Sequence, residues 1–151
     1  MISATLWGTA WSWSSTPARS SRKRCNPGSM LREFKRVRQE KQGYRRLFVD
    51  EYFDLYIWYT RRWGKLLGFQ LCYDKQADMH VLTWTRREGY AHSRVDDGDF
   101  GGGPKRTPVL IPDAFFDRTA IANHFLEASK GLSRRIAGFV HRRLLQYTEV
   151  E

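Results

Sequence analysis

The stretch "EYFDLYIWYTRRWGKLLGFQLCYDK", residues 51–75, restricts the fold more than any other part of the chain. Successive side chains of a strand point to opposite faces, so Phe53, Leu55, Ile57 and Tyr59 fall on one side and Asp54, Tyr56, Trp58 and Thr60 on the other. "RRWGK" then reads as a turn in which Gly64 supplies conformational freedom. The alternation resumes with Leu67, Phe69, Leu71 and Tyr73 facing away from Gly68, Gln70 and Cys72. Two alternating runs about a short turn make an antiparallel hairpin. Its register is strongly specified, because a slip of one residue would turn every apolar side chain to the wrong face.

The flanking segments extend this pattern. Upstream, residues 32–38 admit either a basic strand or a helical turn, the strand being preferred, and "EKQG" supplies a turn into "YRRLFVD". Downstream, "KQADM" turns the chain into "HVLTWTR", where His80, Leu82 and Trp84 share one face and Val81, Thr83 and Thr85 the other. Apolar density then falls through "GYAHSRVDDGDFGGGPKRTP". Its three consecutive glycines and Pro104 predict a mobile loop before the short strand "TPVLIPD". After that strand the period changes to a helical one. Asp117 is placed to cap a helix with Phe116 and Ile121 as its hydrophobic staple and Gly131 as its end. Ser133 is placed to cap a second helix carrying Ile136, Val140, Leu144 and Tyr147 on one face, with Arg134, Arg135, Arg142 and Arg143 on a solvated one. Strands first and helices last predict an α+β fold: an antiparallel β-meander of four to six strands with two C-terminal helices packed on one face. The Phe53, Leu55 and Ile57 face is expected beneath the helices. Tyr56 and Trp58, beside Gln70, are expected to line a groove or a smaller packing layer on the reverse.

A chain of 151 residues suits one domain and can bury a core without disulfides or metals. The only cysteines, Cys25 and Cys72, show no metal-ligand spacing, and no apolar run approaches the roughly 20 residues that span a bilayer. No membrane association, metal or cofactor is therefore predicted, and a cytoplasmic location is the default. The net charge of +10 favours anionic partners, although Arg19, Arg22, Lys23 and Arg24 of the leader contribute part of it. Residues 1–29 are rich in Ser, Thr and Trp and carry no acid. The order of their basic and apolar parts is wrong for a secretory signal. They are read as a disordered N-terminal extension, consistent with a misassigned start, and residues 30–151 as a single α+β domain.

The phrases "LFVDEYFDLYIWY", "GFQLCYDK", "LTWT", "RVDDG" and "TPVLIPD" resemble a family of small uncharacterised bacterial proteins, over about residues 32–145. The resemblance implies a bacterial single domain and carries no activity, cofactor or site residue.

Two functions follow from the residues themselves. In the first, the protein is a binding domain in which Tyr56, Trp58 and Gln70, with Arg45 and Arg46 beside them, form an aromatic and basic sheet face. Arg61, Arg62, Arg86, Arg87, Tyr44 and Trp63 add to its character. Rings stack on bases while guanidinium groups follow phosphates, so the implied partner is a nucleic acid; a protein partner or a second copy of the chain is the alternative. In the second, the protein is a phosphodiesterase or ribonuclease-like enzyme. There His92 acts as general base, Arg94 on the same face holds a phosphate, and Asp96 orients the imidazole. Asp96, Asp97 and Asp99 invite a cation reading, but the later glutamate of a helix-loop-helix calcium loop is missing. "GDFGGGPKRTP" lacks the lysine-threonine pair and following helix of a phosphate loop. Cys72, inside a strand, reads as a small hydrophobe.

Overall fold

In the computed structural model, which describes residues 29–39, 41, 43–96, 109–113 and 115–148, the alternating runs join into one seven-stranded antiparallel sheet. Its strands are β1 (Arg32–Phe34), β2 (Tyr44–Val49), β3 (Asp54–Tyr59), β4 (Leu66–Tyr73), β5 (His80–Thr85), β6 (Gly89–Asp96) and β7 (Val109–Pro112), arranged in chain order. Helices α1 (Arg118–Ala128) and α2 (Arg134–Leu145) follow. The α+β class and the meander match the sequence reading. The strand count differs: the described residues form seven strands rather than four to six. The extra one is β6, read from sequence as the start of a loop. It pairs with β5 from Gly89 to Arg94, yet His92 is its only buried residue, so it lacks the aliphatic signature of a strand. The predicted extension, apart from Ser29, and the glycine-rich loop lie outside the described residues.

The pairing of β3 with β4 sets the two faces. Leu55 lies opposite Leu71 and Ile57 opposite Phe69, and all four are fully buried. These residues share a core with Leu82 and Trp84 of β5, Ile121 and Phe125 of α1, and Ile136, Val140 and Leu144 of α2. Both helices therefore cover the predicted face. One departure follows from a register shift between Trp58 and Tyr59. Tyr59 pairs with Leu66 and Trp58 with Gly68, so Leu66, rather than Leu67, packs against the core.

The same hairpin corrects the role of Gly64. The positive φ in that turn belongs to Trp63, at 65°. Gly64 is needed for space instead: a Cβ there would run into the Thr60 hydroxyl and the Arg61 backbone nitrogen.

The helix caps follow the sequence. Asp117 accepts a hydrogen bond from the Ala120 N–H at 3.0 Å, and Ser133 accepts from the Ile136 N–H at 3.4 Å. Phe116 and Ile121, the staple pair, are both buried. Arg143 departs from the solvated face expected of it. Its guanidinium lies 4.2 Å from the Trp84 ring centroid, and its carbonyl accepts from the Tyr90 hydroxyl at 2.7 Å.

Leu55→Ala and Ile57→Ala each remove a fully buried side chain from the layer between sheet and helices. Urea denaturation should show a loss of about 2 to 5 kcal/mol for each. Near-neutral values at both would contradict the face assignment.

Candidate functional site

The reverse sheet face is closed at its centre. Trp58 is 4% exposed and Gln70 6%, and Leu47, Cys72 and Val81 on the same face are also buried. None of these residues belongs to the helix-side core, so they form a second buried layer. Tyr56 is half-buried, and burial pushes its hydroxyl up to about 12, with Cys72 and Asp54 adding to the effect. Burial also raises the Cys72 thiol to about 12, so it stays protonated at neutral pH and is a poor nucleophile. Neither Trp58 nor Gln70 presents itself to solvent.

Arg45 and Arg46 are engaged in holding the sheet edge. Arg45 donates twice to the Arg38 carbonyl, at 3.0 and 2.7 Å, and exchanges backbone bonds with the Gln39 amide. Arg46 makes a two-pronged pair with Glu33 at 2.7 and 2.9 Å, which holds the Glu33 carboxyl below its ordinary value. These two side chains fasten β1 and the segment after it to β2.

His92, Arg94 and Asp96 do lie on one strand at alternate positions, but their surroundings differ. His92 is 6% exposed. Its Nδ1–H donates to the Asp113 carbonyl at 2.9 Å, and its Nε2 accepts from the Tyr73 hydroxyl at 2.7 Å. The ring is thus oriented by Asp113 and Tyr73, and it is held neutral with both nitrogens occupied. Burial lowers its pKa, and His80 adds to this, against the opposing pull of Asp113. Arg94 is largely exposed and pairs with Asp78 at 2.8 Å. Asp96 is exposed at the strand end.

His92 belongs to a cluster that the sequence reading did not assemble. The rings of Tyr73, His80 and His92 lie nearly parallel, with centroids 5.3 to 6.0 Å apart, and Phe116 and Tyr147 close the apolar side. His80 Nδ1 bonds the Asp78 carbonyl at 2.6 Å, and its Nε2 bonds the Asp113 carboxylate at 2.9 Å. Both partners are acceptors, a backbone carbonyl and a carboxylate. Burial raises the Asp113 carboxyl, but bonds from the Phe115 N–H and from His80 outweigh it and leave the group below its ordinary value. No group of three or more His, Cys, Asp or Glu among the described residues is placed to hold a metal ion. The cluster ties β4, β5 and β6 to the segment that leads from β7 into α1. Its signal was the shared face of Tyr73, His80 and His92, visible only once residues 89–96 are taken as a strand.

A second feature comes from the turns. In a meander, alternate connections lie at opposite ends of the sheet. The β1–β2 connection carries Lys35, Arg36, Arg38 and Lys41, the β3–β4 turn Arg61, Arg62 and Lys65, and the β5–β6 turn Arg86 and Arg87. All nine are exposed and lie at one end. Among the described residues the other end carries Asp50, Glu51, Asp74 and Asp78, and its Lys75 is bonded to Asp54 and the Asp50 carbonyl. At the tip of the β3–β4 turn Trp63 is 86% exposed, with the Arg62 guanidinium 5.7 Å from its ring centroid.

No helix among the described residues is long and apolar enough to cross a membrane. No protein-family model matches the chain, and neither a curated protein nor a solved structure does.

The neutral His92 makes stability depend on pH. Its pKa in the fold is below the ordinary 6.5, so the unfolded chain binds a proton first. Its contribution is complete above pH 6.5 and is lost as pH falls below that value. Urea midpoints at pH 7.5 and 5.5 should therefore fall less steeply in His92→Phe than in the parent, whatever the absolute cost of the substitution. Equal slopes would mean that the imidazole is not held neutral.

Proposed function

We propose that the protein is a binding protein for single-stranded nucleic acid, engaged through the basic end of the sheet. The observation that carries this reading is Trp63, an indole 86% exposed at a hairpin tip between Arg62 and Lys65. An exposed ring offers a stacking surface to an unpaired base, and flexible cations around it follow the phosphates. The neighbouring Arg86, Arg87 and Lys41 widen the positive end into a track, and the acidic opposite end disfavours the wrong approach.

This moves the proposed surface from the sheet face to the sheet end. Tyr56, Trp58 and Gln70 then serve the second buried layer, while Arg45 and Arg46 hold the strand next to the basic end. The same physics supports binding rather than catalysis: His92 has no open nitrogen with which to take a proton from a substrate.

Fluorescence anisotropy with a single-stranded oligoribonucleotide tests the reading. Affinity should fall as salt rises, because phosphate contacts release counterions. Trp63→Ala should lose about 1 to 3 kcal/mol of binding, the value of one stacked base. Arg61→Ala with Arg62→Ala should weaken binding and flatten the salt dependence, whereas Trp58→Ala in folded protein should leave the salt dependence unchanged. Salt-insensitive binding, or none, would overturn the proposal. Oligonucleotide cleavage abolished by His92→Phe would assign the enzymatic function instead.

A further inference from the structure

The two edges of the sheet are finished differently. The β1 edge carries Arg32, the Glu33–Arg46 pair and, just beyond it, Lys35 and Arg36. The Leu31 N–H also bonds the Ala128 carbonyl at the end of α1, at 2.9 Å. Charges on an edge strand and a covered end oppose pairing with another sheet. At the opposite edge β7 reads "VLIP", with no charge in the strand. All four residues are exposed, Val109 60%, Leu110 36% and Ile111 46%. Its outer side faces no strand among the described residues.

We propose that β7 pairs with β7 of a second copy of this chain, antiparallel and about a two-fold axis centred on Leu110. Two observations select this occupant. The first is register. A two-fold pairing of one edge with itself is antiparallel, and directly opposed side chains share a face. Val109 and Ile111 lie on the helix side with Arg94 and Asp96, and Leu110 lies on the reverse. Centring on Leu110 sets Leu110 against its own copy and Val109 against Ile111, so every pair is apolar. Centring on Ile111 would instead bring Val109 against Asp113.

The second observation is charge. Antiparallel pairing turns the second copy end over end. The end bearing Arg61, Arg86 and Arg87 in one copy then lies on the side of the end bearing Asp50, Asp74 and Asp78 in the other. A parallel arrangement would align like charges and set identical backbone groups against each other. The two basic ends point away from the axis in opposite directions. With a strand rise of about 3.3 Å per residue, the β5–β6 turns of the two copies lie on the order of 50 Å apart along the strands.

Sedimentation equilibrium of the full chain over a range of concentrations tests this. The parent should double in mass as concentration rises. Ile111→Lys and Val109→Lys should stay monomeric with unchanged far-ultraviolet circular dichroism. In a Cys25→Ser background, Leu110→Cys should form a disulfide-linked dimer on mild oxidation well ahead of Ile111→Cys, because only position 110 meets itself. If the lysine variants fail to fold, the cross-linking comparison decides. A parent that is monomeric throughout would overturn the proposal, as would a dimer that survives Ile111→Lys and is lost on Trp58→Ala, or equal cross-linking at 110 and 111.

Discussion

Leu55 opposite Leu71 and Ile57 opposite Phe69 form the register on which the rest of the molecule depends. It places one apolar row beneath α1 and α2 and sends the intervening residues to the reverse. Once that register is set, each further strand has its faces decided by antiparallel pairing, out to β6 and β7. The same reversal at each turn sorts the connections to alternate ends. The separation of basic from acidic turns is thus a property of the topology as well as of the composition: the same turn sequences in a fold with crossover connections would mix the two signs.

The Tyr73, His80, His92 and Asp113 cluster shows how a polar group is admitted to a core edge. A buried imidazole costs stability unless both nitrogens find partners, and here one partner is a hydroxyl and the other a backbone carbonyl. His80, nearer solvent, keeps a carboxylate beside it. The two rings thus differ in their partners although their planes are nearly parallel and their centroids 5.5 Å apart. A histidine and an arginine two positions apart on one strand likewise meet different partners. His92 faces inward toward Phe116 and Tyr147, while Arg94 reaches outward to Asp78.

The elements that the sequence reveals most clearly are those whose periodicity comes from burial. The β3–β4 hairpin, the strand through Leu82 and Trp84, and the stripe Ile136, Val140 and Leu144 could be read directly, because water exclusion selects the residue type at each position. β6 could not, since the inward positions are Tyr90 and His92, whose polar atoms are satisfied by partners distant in sequence. The choice between a groove and a packing layer on the reverse face could not be read for a related reason. Nothing in Trp58 or Gln70 tells from sequence whether another layer covers them. The candidate surface at Trp63 was legible as composition, a tryptophan among arginines. Its meaning depends on three turns converging at one end, which only the pairing order reveals.

The left-handed backbone at Trp63 adds a last consequence. For a residue with a bulky side chain, φ near 65° costs of order 1 kcal/mol or more, which glycine or asparagine in its place would largely avoid. The indole buries almost nothing in return, being 86% exposed. A chain optimised for folding alone would not place tryptophan there. Redesign for thermal robustness would replace this residue early, gaining stability at the same position where the molecule meets its surroundings.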